Sequence, residues 1–161
     1  MKKSAFITIG ALVAFAAVNT ASAQSATQTV TFQVTAINQI AVTGTPSLVI
    51  NTASAGSAPT SATSSGNTWS VTTNQSTASV TASIATAMPA GVTLSANLTA
   101  PSGATSTGLT ALSNVAANVV TGITKLNASG LALAYQLDAT AAAGVVSSAT
   151  RVVTFTITGG V

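Results

Sequence analysis

Of 161 residues, four are basic (Lys2, Lys3, Lys125, Arg151), one is acidic (Asp138), and none is histidine or cysteine. Charged side chains are 3% of the chain, against roughly 25% in an ordinary soluble domain. That composition excludes paired-carboxylate acid–base chemistry, Ser-His-Asp and Cys-His nucleophiles, zinc and iron–sulfur ligation, and a calcium cage of acidic oxygens.

Met1-Lys2-Lys3 is a short positive region, and an apolar run over residues 5–18 follows it. Ala21-Ser22-Ala23 then places small residues where a signal peptidase reads them. These three parts, in this order, predict a secretory signal peptide over residues 1–23, cleaved before Gln24. The apolar run is too short to span a bilayer comfortably, so no membrane insertion is expected after cleavage. Cleavage removes two of the four basic residues, so the formal +3 falls to +1, set by Lys125, Arg151 and Asp138. No basic stripe remains for a nucleic acid. Without cysteine, an exported chain must be stabilised by packing and backbone hydrogen bonds alone. Residues 24–161 are enough for one domain that buries roughly two-thirds of its unfolded surface.

Along residues 28–38, Val30, Phe32, Val34 and Ala36 alternate with Thr29, Thr31, Gln33 and Thr35, the period of a half-buried strand. Ile37 breaks that phase and predicts a bend, after which Ile40 and Val42 resume an even-numbered apolar face. Gly44-Thr45-Pro46 interrupts the pattern. Residues 51–67 have no apolar period and predict a long loop or a weak edge strand. Strands are predicted over 68–74 (Trp69 and Val71 on one face), 78–85 (Val80, Ala82, Ile84) and 92–99 (Val92, Leu94, Ala96, Leu98). Turns are expected at Met88-Pro89-Ala90-Gly91 and at Pro101-Ser102-Gly103. Residues 109–112 and 115–123 are less regular, with Val119-Val120-Thr121 favouring strand in the second. Leu131, Leu133, Tyr135 and Leu137 line another face, and Ala141-Ala142-Ala143-Gly144 turns the chain. The last strand, 150–158, sets Val153, Phe155 and Ile157 inward against outward Thr154, Thr156 and Thr158. Eight to ten short strands and no helix predict an all-β chain. The expected architecture is a single antiparallel β-sandwich over 24–161, of immunoglobulin-like or jelly-roll type.

Individual side chains offer little chemistry. Trp69 and Tyr135 share the parity of core residues, which favours packing over a sugar-stacking platform. Lys125, Asp138 and Arg151 predict one surface ion pair. The same residue types also permit a crosslink from Lys125 to an asparagine with Asp138 assisting, as in some Gram-positive pilins. No catalytic, cofactor-binding or metal-binding residue is expected, and the chain reads as non-enzymatic.

Two features favour assembly. Edge strands are usually protected by lysine or inward charge, and three charged residues cannot supply either widely. The 28–38 strand begins just after the expected cleavage point, so it is tethered on one side and free to complete a neighbour's sheet by β-augmentation. An exported all-β domain with this alternating N-terminal strand and a last strand near the chain end resembles the subunits of bacterial donor-strand filaments, namely chaperone-usher pilins and TasA-like matrix fibre proteins. The disulfide common in chaperone-usher pilins is absent here, as is their near-terminal tyrosine. The resemblance implies a secreted, cell-surface structural role in a fimbrial pilus, filament or biofilm matrix. It also implies Val30, Phe32, Val34 and Ala36 as the polymerisation strand. The partners would be copies of the same chain, with an export chaperone or surface anchor besides. The alternative expectation is a monomeric secreted module that binds carbohydrate or another surface polymer.

Overall fold

The computed structural model describes residues 22–160. Nearly all of the predicted signal peptide, residues 1–21, therefore lies outside the described residues. The chain divides into two units, Met1–Gln33 and Val34–Val161. In the first, residues 22–33 carry neither helix nor strand.

The second unit holds nine strands among the described residues: β1 (Asn38–Thr43), β2 (Ala62–Thr73), β3 (Ser76–Ile84), β4 (Val92–Leu98), β5 (Thr105–Ser106), β6 (Thr110–Ala111), β7 (Ala117–Ile123), β8 (Leu126–Ala139) and β9 (Val153–Gly160). A 3-10 turn, Ala141–Ala143, follows β8. The strands form two sheets, ordered β1-β2-β8-β4-β6 and β5-β7-β3-β9, and every pairing is antiparallel. The all-β expectation holds, with two antiparallel sheets.

Alternation explains most of the core. Ala78, Val80, Ala82 and Ile84 of β3 are buried, as are Leu94, Ala96 and Leu98 of β4, and Leu133 and Tyr135 of β8. Trp69 and Val71 of β2 join them in one cluster fed by both sheets. Cross-strand register keeps like with like: Ile40 lies opposite Val71, and Val42 opposite Trp69. Turns fall where glycine and proline place them, with the Val92 N–H on the Pro89 carbonyl and the Ala104 N–H on the Pro101 carbonyl, both at 3.1 Å.

Three elements depart from the expected pattern. β2 begins at Ala62, inside the stretch expected to be a loop. Its first residues pair with the far end of the 14-residue β8, Ala62 opposite Leu137 and Ser64 opposite Tyr135. A register shift between Ser64 and Asn67 contains Gly66 at φ +85°, and buried Asn67 donates to Ser64 Oγ at 3.0 Å. In β7, Val119 and Val120 are both buried although they are consecutive. The β3–β7 register explains this, since Val80 opposes Val120 and Thr81 opposes Asn118, leaving Val119 as a bulge residue. Finally, β5 is a two-residue strand with no apolar signal.

Tyr135 lies in this core, and burial raises its phenol pKa above the ordinary value of 10.0. A raised folded-state value means the stability it confers is complete below about pH 10 and is lost as pH climbs through the folded-state pKa. Urea midpoints should therefore fall above pH 10 in the parent chain. Tyr135→Phe should flatten that fall, and an unchanged alkaline slope would contradict the assignment.

Candidate functional site

A strand needs a ladder partner as well as an alternating face. Among the described residues, 22–36 have none, and every residue from 22 to 37 is exposed. The predicted strand 28–38 is thus realised only at its last residue, Asn38, where β1 starts. Val30 is 72% exposed, Phe32 90% and Val34 77%, and Ala36 is exposed too. Isolated exposed apolar residues are ordinary, but three at strand spacing form one unpartnered apolar row.

Ile37, the residue that breaks the phase, is held where the row meets β1. Its N–H donates to Asn74 Oδ1 at 2.8 Å, its carbonyl accepts from the Asn74 N–H at 3.2 Å, and Asn74 Nδ2 donates to the Thr35 carbonyl at 2.7 Å. Gln75 Nε2 donates to the same Asn74 oxygen at 2.8 Å. Asn74 sits in the short link between β2 and β3, so one side chain pins both ends of the Thr35–Ile37 step. Asn38 continues the join. Thr73 Oγ1 donates to Asn38 Oδ1 at 2.7 Å, and the other end of the Asn38 amide lies against Gly159, setting the start of β1 beside the end of β9. No periodicity marks Asn38 or Asn74. Their only sequence signal is a polar amide beside a turn or a phase break.

The charged residues do not converge. Lys125 lies in the β7–β8 link with φ +40°, and Asp138 lies near the other end of β8. Thirteen strand positions separate them by roughly 40 Å. That distance rules out the Lys125 crosslink assisted by Asp138. Asp138 accepts instead from Ser61 Oγ and, at 2.9 Å, from Gln136 Nε2. Arg151 Nε donates to the Ala87 carbonyl at 3.3 Å. A hollow of about 380 Å³ beside Lys125 is lined by Ile37, Thr72, Thr73, Asn74, Leu126 and Asn127, none of which is a general base.

Trp69 and Tyr135 are placed as core residues. Trp69 is 1% exposed, and its indole Nε1 donates to the Thr99 carbonyl at 3.1 Å. It offers no face for sugar stacking. No family model, curated protein or solved structure matches this chain.

Proposed function

We propose that the chain is a secreted structural protein whose copies assemble through residues 28–38 into an extracellular fibre, pilus or biofilm matrix. In this proposal the two sheets form a β-sandwich of immunoglobulin-like or jelly-roll type, the role is not enzymatic, and an export chaperone or surface anchor assists. One observation carries it: Val30, Phe32 and Val34 make an exposed, unpaired apolar row at strand spacing. Burying such a row against a partner gains roughly 1.5–3 kcal/mol per large side chain, and its backbone gains the ladder it lacks alone. The scarcity of charge supports the same conclusion, because little opposes contact between copies.

Phe32→Asp tests it. Phe32 is almost fully exposed in the single chain, so secretion and folding should match the parent. The variant places a charge where the row must be buried, and electron micrographs should show no polymers. Normal polymers in this variant would overturn the proposal.

A further inference from the structure

The sheets end in four edge strands, β1 and β6 in one and β5 and β9 in the other. β5 and β6 are two residues long, too short to template a neighbour, whereas β1 has six residues and β9 eight. Neither long edge contains a charged residue or a proline.

The core is also incomplete beside these edges. On β3, Val80, Ala82 and Ile84 are fully buried, yet their partners on β9, Ile157, Phe155 and Val153, are only half-buried. Across from them on β1, Ile40 is half-buried and Val42 is 48% exposed, although both share the inward parity of Val71 and Trp69. Between the two edges runs a groove of about 100 Å³, lined by Ile40, Ala41, Val42, Val153 and Phe155. Its walls are apolar, and β9 presents a free row of backbone donors and acceptors alongside it.

The chain contains a segment that matches this setting. Val30-Thr31-Phe32-Gln33-Val34-Thr35 repeats the pattern of Val153-Thr154-Phe155-Thr156-Ile157-Thr158, residue type by residue type except at Gln33 and Val34. The first segment therefore carries the side-chain sizes that β9 already packs against the core, and an outer face of Thr and Gln to lie beside the Thr row of β9. Cross-strand Thr pairs and aromatic pairs are favourable contacts. Neither segment carries charge, so pairing them desolvates no ion.

We propose that the free edge of β9 and its groove with β1 receive residues 29–36 of a second copy, antiparallel, with Phe32 opposite Phe155. This acceptor rests on the assembly role proposed above and names the surface that role requires. Antiparallel pairing follows every strand pairing among the described residues and is the slightly more stable kind. The register places Phe32 and Val34 over Phe155 and Val153 at the groove, Val30 opposite Ile157, and Thr31 opposite Thr156. Displacing β9 from β3 would exchange one ladder for another, whereas adding a strand beside β9 creates a new ladder and covers the groove. Chain length selects a second copy. In this register Ala36 lies opposite Arg151, while Asn38 of the same chain lies against Gly159. Eight residues of strand span roughly 26 Å, and two residues of chain reach at most about 7 Å.

The chain has no cysteine, so introduced thiols report cleanly. In a double variant, Thr31→Cys with Thr156→Cys, both positions are exposed and folding should be unaffected. A short thiol-to-thiol crosslinker should then give a ladder of multimers on a denaturing gel, and adding Phe32→Asp should return it to monomer. Polymers on micrographs with only monomer on the gel would overturn the β9 acceptor and leave the assembly role standing. In a second double variant, Gln33→Cys with Thr156→Cys, closure within one monomer would show parallel pairing in the same chain and overturn both. No polymer in the parent chain would also overturn both.

Discussion

Trp69→Ala is expected to lower unfolding stability by about 3–5 kcal/mol, the range for deleting a buried large aromatic side chain. Trp69 is the largest fully buried side chain, lying opposite Val42 of β1 and Leu131 of β8. Alanine would leave a cavity where β2 meets both neighbours, and the Thr99 carbonyl would lose its indole donor. A domain of this size is typically stable by only about 5–15 kcal/mol, so the loss would take much of the total. Urea unfolding followed by far-ultraviolet circular dichroism is the suitable measurement, because the substitution removes the chain's only tryptophan fluorophore. A change below about 1 kcal/mol would place Trp69 among surface residues and revive a binding role for it.

Gly91→Ala should cost about 2–4 kcal/mol through two separable causes. Gly91 adopts φ +76°, a region that costs a side-chain-bearing residue about 1–2 kcal/mol. A Cβ there would also stand 2.7 Å from Thr140 Oγ1 and 3.0 Å from the Ala143 backbone nitrogen. The Thr140 N–H already donates to the Gly91 carbonyl at 2.8 Å, so the 3-10 turn after β8 is drawn tightly onto the turn residue just before β4. Gly103 provides the control: its φ is +81° and nothing lies within 4 Å of an added Cβ. Gly103→Ala should show the backbone cost alone. Melting temperatures of the two variants should therefore differ by several degrees, on the order of 3–8 °C. Equal losses would show that the Thr140–Ala143 turn yields without cost.

Much of the fold was legible because a two-residue period survives along β3, β4 and β9, where alternate side chains enter the core. Val80-Ala82-Ile84 and Val153-Phe155-Ile157 announce both strand and face. The start of β2 was not legible, since Ala62-Thr63-Ser64-Ser65-Gly66-Asn67 is held by its long partner β8 and not by apolar alternation. Periodicity likewise could not show that Val119 and Val120 both bury, because a bulge is a property of two strands together. The candidate site divides the same way. The apolar row at Val30, Phe32 and Val34 is a local pattern and was plain from the residues. Its lack of a partner, the Asn74 clamp and the groove beside β9 all depend on which strands end at an edge, which non-local pairing decides.

The edge strands differ in length in a way that limits valence. Each sheet has one two-residue edge and one long edge, and the two long edges, β1 and β9, border the same groove. Growth by strand addition is thus offered at one location per molecule, against one apolar row to fill it. A subunit with one socket and one plug builds unbranched chains, because a head-to-tail contact repeats without closing unless its rotation forms a ring. With every edge long and uncharged, the same composition would favour a branched precipitate; two stub edges make an unbranched thread the expected product.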